Sequence, residues 1–211
     1  MQDGLLPLFP LQVVLLPGGQ LPLHIFEDRY KEMIGEVIRE HMEFGVVLAN
    51  EKGIVNTGCT ATVDRVLREY PDGRLDILTR GRRRFEILLL NDERAFLRGA
   101  VEFFDDEDGA KPANPDAQRR AIDGYNELQS LSSNAPLDAS GPVDPQLSFR
   151  LAQPLPDLTL RQALLAMRSE ADRIRQIAEF LPSYLAQHRK IQHLKDVAPR
   201  NGHGHGSGGD T

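Results

Sequence analysis

The 211-residue sequence has no tryptophan, four tyrosines, one cysteine and five lysines, and each shortage excludes something. A lone Cys59 cannot form an internal disulfide, and nothing in the cysteine usage marks an oxidising compartment. Few aromatics and a net charge of −6 argue against a surface that grips nucleic acid, which needs rings for stacking and many cations for phosphates. No Gly-Lys pair occurs anywhere, so the phosphate loop GxxxxGK[ST] is missing from these residues. No apolar run is long enough to span a bilayer. The leucine-rich start is unlike a secretory signal, because it opens on Asp3 and is broken by Pro7, Pro10 and Pro17. The expectation is a soluble, cytoplasmic chain without a membrane partner. With 40% apolar and 27% charged residues it should fold by burial alone, with no cofactor and no metal.

What is present is a hydrophobic opening full of breaks: "LPLFPLQVVLLPGGQLPLHIFEDRY", residues 6 to 30, holds four prolines and a Gly-Gly pair. Each proline removes an amide donor and fixes φ, so only short strands with bends between them can form. Leu5 to Phe9, Leu11 to Leu16 and Leu21 to Phe26 are read as strands, with a turn at Pro17-Gly18-Gly19. Short, bent, buried strands suit a small, strongly curved sheet. From Asp28 to His41 the period becomes helical, with Tyr30, Met33, Ile34, Val37 and Ile38 on one face. Strands are expected at Phe44 to Ala49 and at Thr60 to Tyr70, the latter slipping near Asp64-Arg65. A turn at Pro71-Asp72-Gly73 leads to further strands at Leu75 to Thr79, Phe85 to Leu90 and Phe96 to Phe104.

At Asp105 the composition turns acidic, and "DDEDGAKPANPD" reads as a linker over 105–116 between a β-domain of residues 1–104 and a helical bundle of 117–198. Within the bundle Thr159 with Gln162 and Ser169 with Asp172 look like capping boxes, so a helix boundary falls near Arg168. Leu160, Leu164, Met167, Ala171, Ile174, Ala178 and Leu181 mark the packed face. Pro182 should start a further helix or kink an existing one. The Gly-rich tail 199–211 should be disordered; His203 and His205 within it are too few for a zinc site. The acidic run Asp105 to Asp108 lacks the ligand spacing of a calcium loop. Cys59 is read as core packing.

"PLFPL" at 7–11, "LLPGGQLPLHIFEDRY" at 15–30, "GCTATV" at 58–63 and "TRGRRRFEI" at 79–87 resemble, in order and spacing, the N-terminal substrate-binding domain of Lon proteases. The "HIFExRY" ending is most similar to stand-alone bacterial versions of it. The resemblance implies an α+β fold: a curved PUA-like β-domain, a pseudo-barrel, with one inserted helix and a helical bundle after it. It also implies a role in recognising unfolded or tagged polypeptides. No segment resembles the serine surroundings of the Lon peptidase, so the chain is expected to be a non-catalytic polypeptide-binding module. Its mechanism would be burial of peptide side chains on apolar surface, with pairing to a sheet edge as a further means. Expected partners are unfolded or extended polypeptide segments or a partner protein, a separate ATP-dependent protease among the options.

Candidate polypeptide or partner contacts are the residues closing the most specific motif, His24, Phe26, Glu27, Arg29 and Tyr30, although Glu27 and Arg29 are more simply read as ties between helix and sheet. Arg80, Arg82, Arg83 and Arg84 form a candidate basic patch, with Arg82 and Arg84 on one side of a hairpin and Arg83 on the other. Because PUA-like folds also occur in RNA-binding proteins, that patch supports RNA binding as the alternative, although the net charge makes a nucleic-acid partner the poorer choice.

Overall fold

Proline spacing makes the opening strands short, and β1 (Leu6–Leu11) and β2 (Gln20–Ile25) each hold only six residues. The computed structural model describes residues 4–107, 112–131, 134–135, 137, 144 and 146–197. The strand expected over Leu11 to Leu16 is instead a buried loop, since Val14, Leu15 and Leu16 are enclosed without joining the sheet. Its hydrophobicity records burial, not ladder pairing. The turn that ends it has Gly18 at φ 74° and a bond from the Gly19 amide to the Leu16 carbonyl. Helix α1 (Asp28–Glu40) buries Tyr30, Met33, Ile34 and Val37, and stops where His41 turns left-handed at φ 54°.

Strands β3 (Phe44–Asn50), β4 (Gly53–Glu69), β5 (Leu75–Asn91) and β6 (Arg98–Phe104) complete one sheet in the order β2-β5-β4-β3-β1-β6. The two strands expected at Leu75 to Thr79 and Phe85 to Leu90 are a single strand of 17 residues. What looks in sequence like a break is a bulge: Ala61 lies opposite Gly81 and Cys59 opposite Arg84, so β5 takes three steps where β4 takes two. A second irregularity falls between Val63 and Arg65, where the alternation slips. β5 pairs with β2 along its first part and with β6 along its last. The sheet therefore curls back on itself. It is not a closed barrel, and β1 meets β6 only at Leu6–Gly99 and Pro7–Arg98. Inside the curl Leu8, Val47 and Phe85 form a fully buried cluster, each worth about 1.5–3 kcal/mol of burial.

Helices α2 (Pro115–Leu131), α3 (Leu147–Ala152), α4 (Leu158–Ala166) and α5 (Glu170–Val197) follow. The cap of α4 is Asp157, whose carboxylate accepts the Leu160 amide, and not Thr159, which lies inside the helix. Ser169 does cap α5, its hydroxyl accepting the Asp172 amide at 3.2 Å. Pro182 is inside α5, which continues past it.

The chain divides into two compact units, residues 1–112 with 142–173, and residues 113–141 with 174–211. This differs from a β-domain and a single bundle split at 105–116. Helices α3 and α4 belong with the sheet, because Gln162 donates to the Thr57 carbonyl and Arg161 to that of Val14. In the second unit α2 buries Ala117, Ala121, Tyr125 and Leu128, and Gly124 allows close approach of Leu181. The tail 199–211, with His203 and His205, lies outside the described residues, as does Asp108.

Candidate polypeptide-binding surface

Strand alternation decides what β2 offers to solvent. Leu21, Leu23 and Ile25 turn inward, leaving Pro22, His24 and the following Phe26 exposed. Phe26 is 58% exposed, and the His24 ring stacks on it at 5.8 Å between centroids. Tyr70 presents its ring edge-on to His24 at 6.0 Å. Asp76 ties the group together: its carboxylate lies 2.6 Å from His24 Nδ1 and accepts from Tyr70 Oη at 2.8 Å. Those bonds, His24's first, hold the Asp76 carboxyl below the usual range. The guanidinium groups of Arg68 and Arg74 lie over the Tyr70 ring at 4.5 and 4.8 Å. Val66 and Leu67, on the same stretch of β4, are large and exposed. The result is an aromatic cluster tied together by hydrogen bonds.

Of the five candidate residues, His24 and Phe26 stack on each other here, and the other three have different partners. Tyr30 is 8% exposed and stacks on Phe9 at 4.1 Å, so it is a core residue. Glu27 and Arg29 pair with each other at 2.7 Å on the surface. They do not tie helix to sheet; Lys31 does, donating to the Asp72 carbonyl. Tyr70 and Asp76 were missed, although the Pro71-Asp72-Gly73 turn between them was the signal that brings them together.

The arginine run does not form one solvent-facing patch on the β4–β5 hairpin. Arg80, Arg82, Arg83 and Arg84 lie inside β5, and the bulge breaks their alternation. Arg80 pairs with Asp64 at 2.8 Å, and Arg83 pairs with Glu43 and covers the Phe103 ring. Arg84 is 5% exposed and reaches Asp106 and the Met167 carbonyl, so only Arg82 and Arg83 face solvent broadly. Asp106 in turn holds Arg173, which Glu170 and Ser148 also bind. Thus one residue of the expected solvated linker is the counterion of two buried cations. Glycine at position 81 is required, since a β-carbon there would collide with the Leu16 carbonyl. That contact, and the exchange of bonds with Gly18 and Gly19, dock the opening loop on β5.

Beside this docking lies a cleft of about 490 Å³, lined by Val13, Gln20, Leu21, Arg80, Gln153 and Arg161 among others. Cys59 is fully buried, and burial pushes its thiol up to about 12. Among the described residues no three His, Cys, Asp or Glu side chains converge as a metal site would require, and no helix is long and apolar enough to cross a membrane.

The sheet-bearing unit is thus a strongly curved sheet with one inserted helix, two further helices assigned to it and an aromatic cluster beside β2. The sequence matches the ATP-dependent protease La (LON) substrate-binding domain over residues 5–183, and the chain belongs to that family. It is 31% identical to a Lon protease of Parabacteroides distasonis over 126 residues, 56% of this chain and 15% of that protein. Lon protease 1 of Hydrogenovibrio crunogenus is 32% identical over 98 residues, 43% of this chain and 12% of that one. The chain thus spans only about a seventh of the length of the curated relatives it matches. The crystal structure of a Lon N-terminal domain protein from Xanthomonas campestris superposes with a TM-score of 0.67 at 27% identity, covering 84% of this chain and 99% of that one. The N-terminal domain of a Mycobacterium avium complex Lon protease shares the fold, with a TM-score of 0.58 at 15% identity over 84% of this chain and 98% of that one.

Proposed function

We propose that this chain is a non-catalytic module that binds extended or unfolded polypeptide on the face formed by His24, Phe26 and Tyr70, for its own sake or for a separate ATP-dependent protease. The observation that carries this reading is Phe26, a large ring left exposed yet stacked on His24. A free surface phenylalanine would pay rotamer entropy on binding; one already stacked on His24 pays less. Peptide side chains would be buried against the exposed Phe26 ring, which is the usual use of exposed apolar surface.

RNA binding through the arginine run has less support, since Arg84 is enclosed and Arg80 and Arg83 are already paired. The test is fluorescence anisotropy with a labelled, permanently unfolded polypeptide and with single-stranded RNA, each at two salt concentrations. Polypeptide binding that varies little with salt and weakens at least fivefold in Phe26→Ala is expected. Tight RNA binding with a steep salt dependence, flattened by the Arg82→Ala, Arg83→Ala double variant, would reverse the choice.

A further inference from the structure

The cleft at the opening loop differs from the rest of the surface in its charge. Its charged lining residues are Arg80 and Arg161; no carboxylate lines it. Arg80 brings its own counterion, Asp64. Arg161 brings none among the described residues. One of its terminal nitrogens donates to the Val14 carbonyl at 2.6 Å, and its Nε is buried without a partner. Burial lowers its pKa with no neighbouring acid to offset the shift. A desolvated cation without a counterion is costly, and proteins normally supply the missing charge. Here the structure leaves room for it: the cleft is large enough for several side chains and has apolar walls at Val13 and Leu21.

We propose that this cleft receives the carboxylate of an aspartate or glutamate side chain from the extended polypeptide whose apolar residue rests on Phe26. The inference rests on the polypeptide-binding reading above and names the sequence class of the bound chain. One uncompensated cation matches one negative charge. A phosphate dianion or a polyanion would need more cations than Arg161 and a half-neutralised Arg80 provide. A side-chain carboxylate stands off its main chain, so it reaches a recessed guanidinium while the backbone stays outside; a terminal carboxylate would require the last residue to enter whole. The spacing follows from β2, which has Gln20 and Leu21 at the cleft and His24 and Phe26 at the aromatic cluster. At about 3.3 Å per residue, an extended peptide crossing both would carry its acid about five residues from its aromatic or large aliphatic residue.

The experiment uses the full chain and labelled twelve-residue peptides with amidated C-termini, holding one Phe and, five residues away, either Glu or Gln. We expect the Glu peptide to bind about tenfold more tightly, and Arg161→Met to reduce that ratio to about one while leaving Gln-peptide affinity within twofold. Equal affinity for Glu and Gln peptides in the unmodified protein overturns the proposal without needing any variant to fold. So does a Gln peptide with a free C-terminal carboxylate that binds as tightly as the Glu peptide, or competition by inorganic phosphate at lower concentration than by acetate. Failure of every peptide to bind overturns the polypeptide reading itself and this inference with it; binding lost in Phe26→Ala beside equal Glu and Gln affinities overturns this inference alone.

Discussion

Two places in the sheet-bearing unit hold arginine away from water, and they solve the problem oppositely. At the end of β6, Arg84 and Arg173 meet Asp106 at 2.7 and 2.5 Å, and Glu170, Ser148 and the Met167 carbonyl fill the remaining donors. Phe149 lies under both guanidinium groups. At the opening loop, Arg161 has a single carbonyl and no acid. The first group is complete within the chain, as a structural element must be. The second is incomplete, which is tolerable only because water or a ligand can enter the cleft. Where buried charge is matched, the fold is being held; where it is unmatched, something outside the fold is being met.

The sharpest way to break that comparison is Asp106→Ala, which leaves two buried cations facing each other. Loss of about 3–5 kcal/mol in urea unfolding is expected, and a loss under about 1 kcal/mol would show that the group holds nothing. Acid should do reversibly what the substitution does permanently. Burial by itself would raise the Asp106 carboxyl, but Arg173 first and then Arg84 outweigh it and hold it below the usual range. Its contribution is then present above the unfolded value near 4 and disappears as pH falls through the lower folded value. Asp106→Asn should therefore be less stable than the parent at pH 7, with the gap closing only as pH falls through the lowered value of the folded state in thermal melts.

A smaller effect is expected at the unmatched site. Arg161→Met removes a desolvated charge but strands the Val14 carbonyl, and these offset to within about 1 kcal/mol. If it cost as much as Asp106→Ala, Arg161 would be structural too. Arg82→Ala, an exposed arginine of the same β5 run, should change stability by less than about 0.5 kcal/mol and calibrates the scale.

Much of the architecture was legible because its signals are local. The helical period after Asp28, the slip at Asp64-Arg65 and the Pro71-Asp72-Gly73 turn each report a backbone event within a few residues. The arginine run was misread because nothing local distinguishes a bulge from a break, and Gly81 owes its place to Leu16, 65 positions earlier. The site was half legible: His24 and Phe26 follow from alternation, but Tyr30 carries a polar hydroxyl on a ring that packing against Phe9 claims for the core. Arg161 is absent from the apolar face that the spacing marks, and only the fold brings the opening loop to it. Acidic residues after β6 looked like a solvated linker because their two cationic partners come from β5 and α5.

Pro22 shapes the strand edge that borders the proposed polypeptide-binding face. β2 is the outer strand of the sheet next to the aromatic cluster, and an unpaired strand edge beside sticky rings is a template on which unfolded chains can stack into β-structure. With proline in the middle of β2, that edge has no continuous row of amide donors to extend. On the proposed reading, a captured chain would be held by its side chains and denied the main-chain ladder that would seed its aggregation, so it could be released.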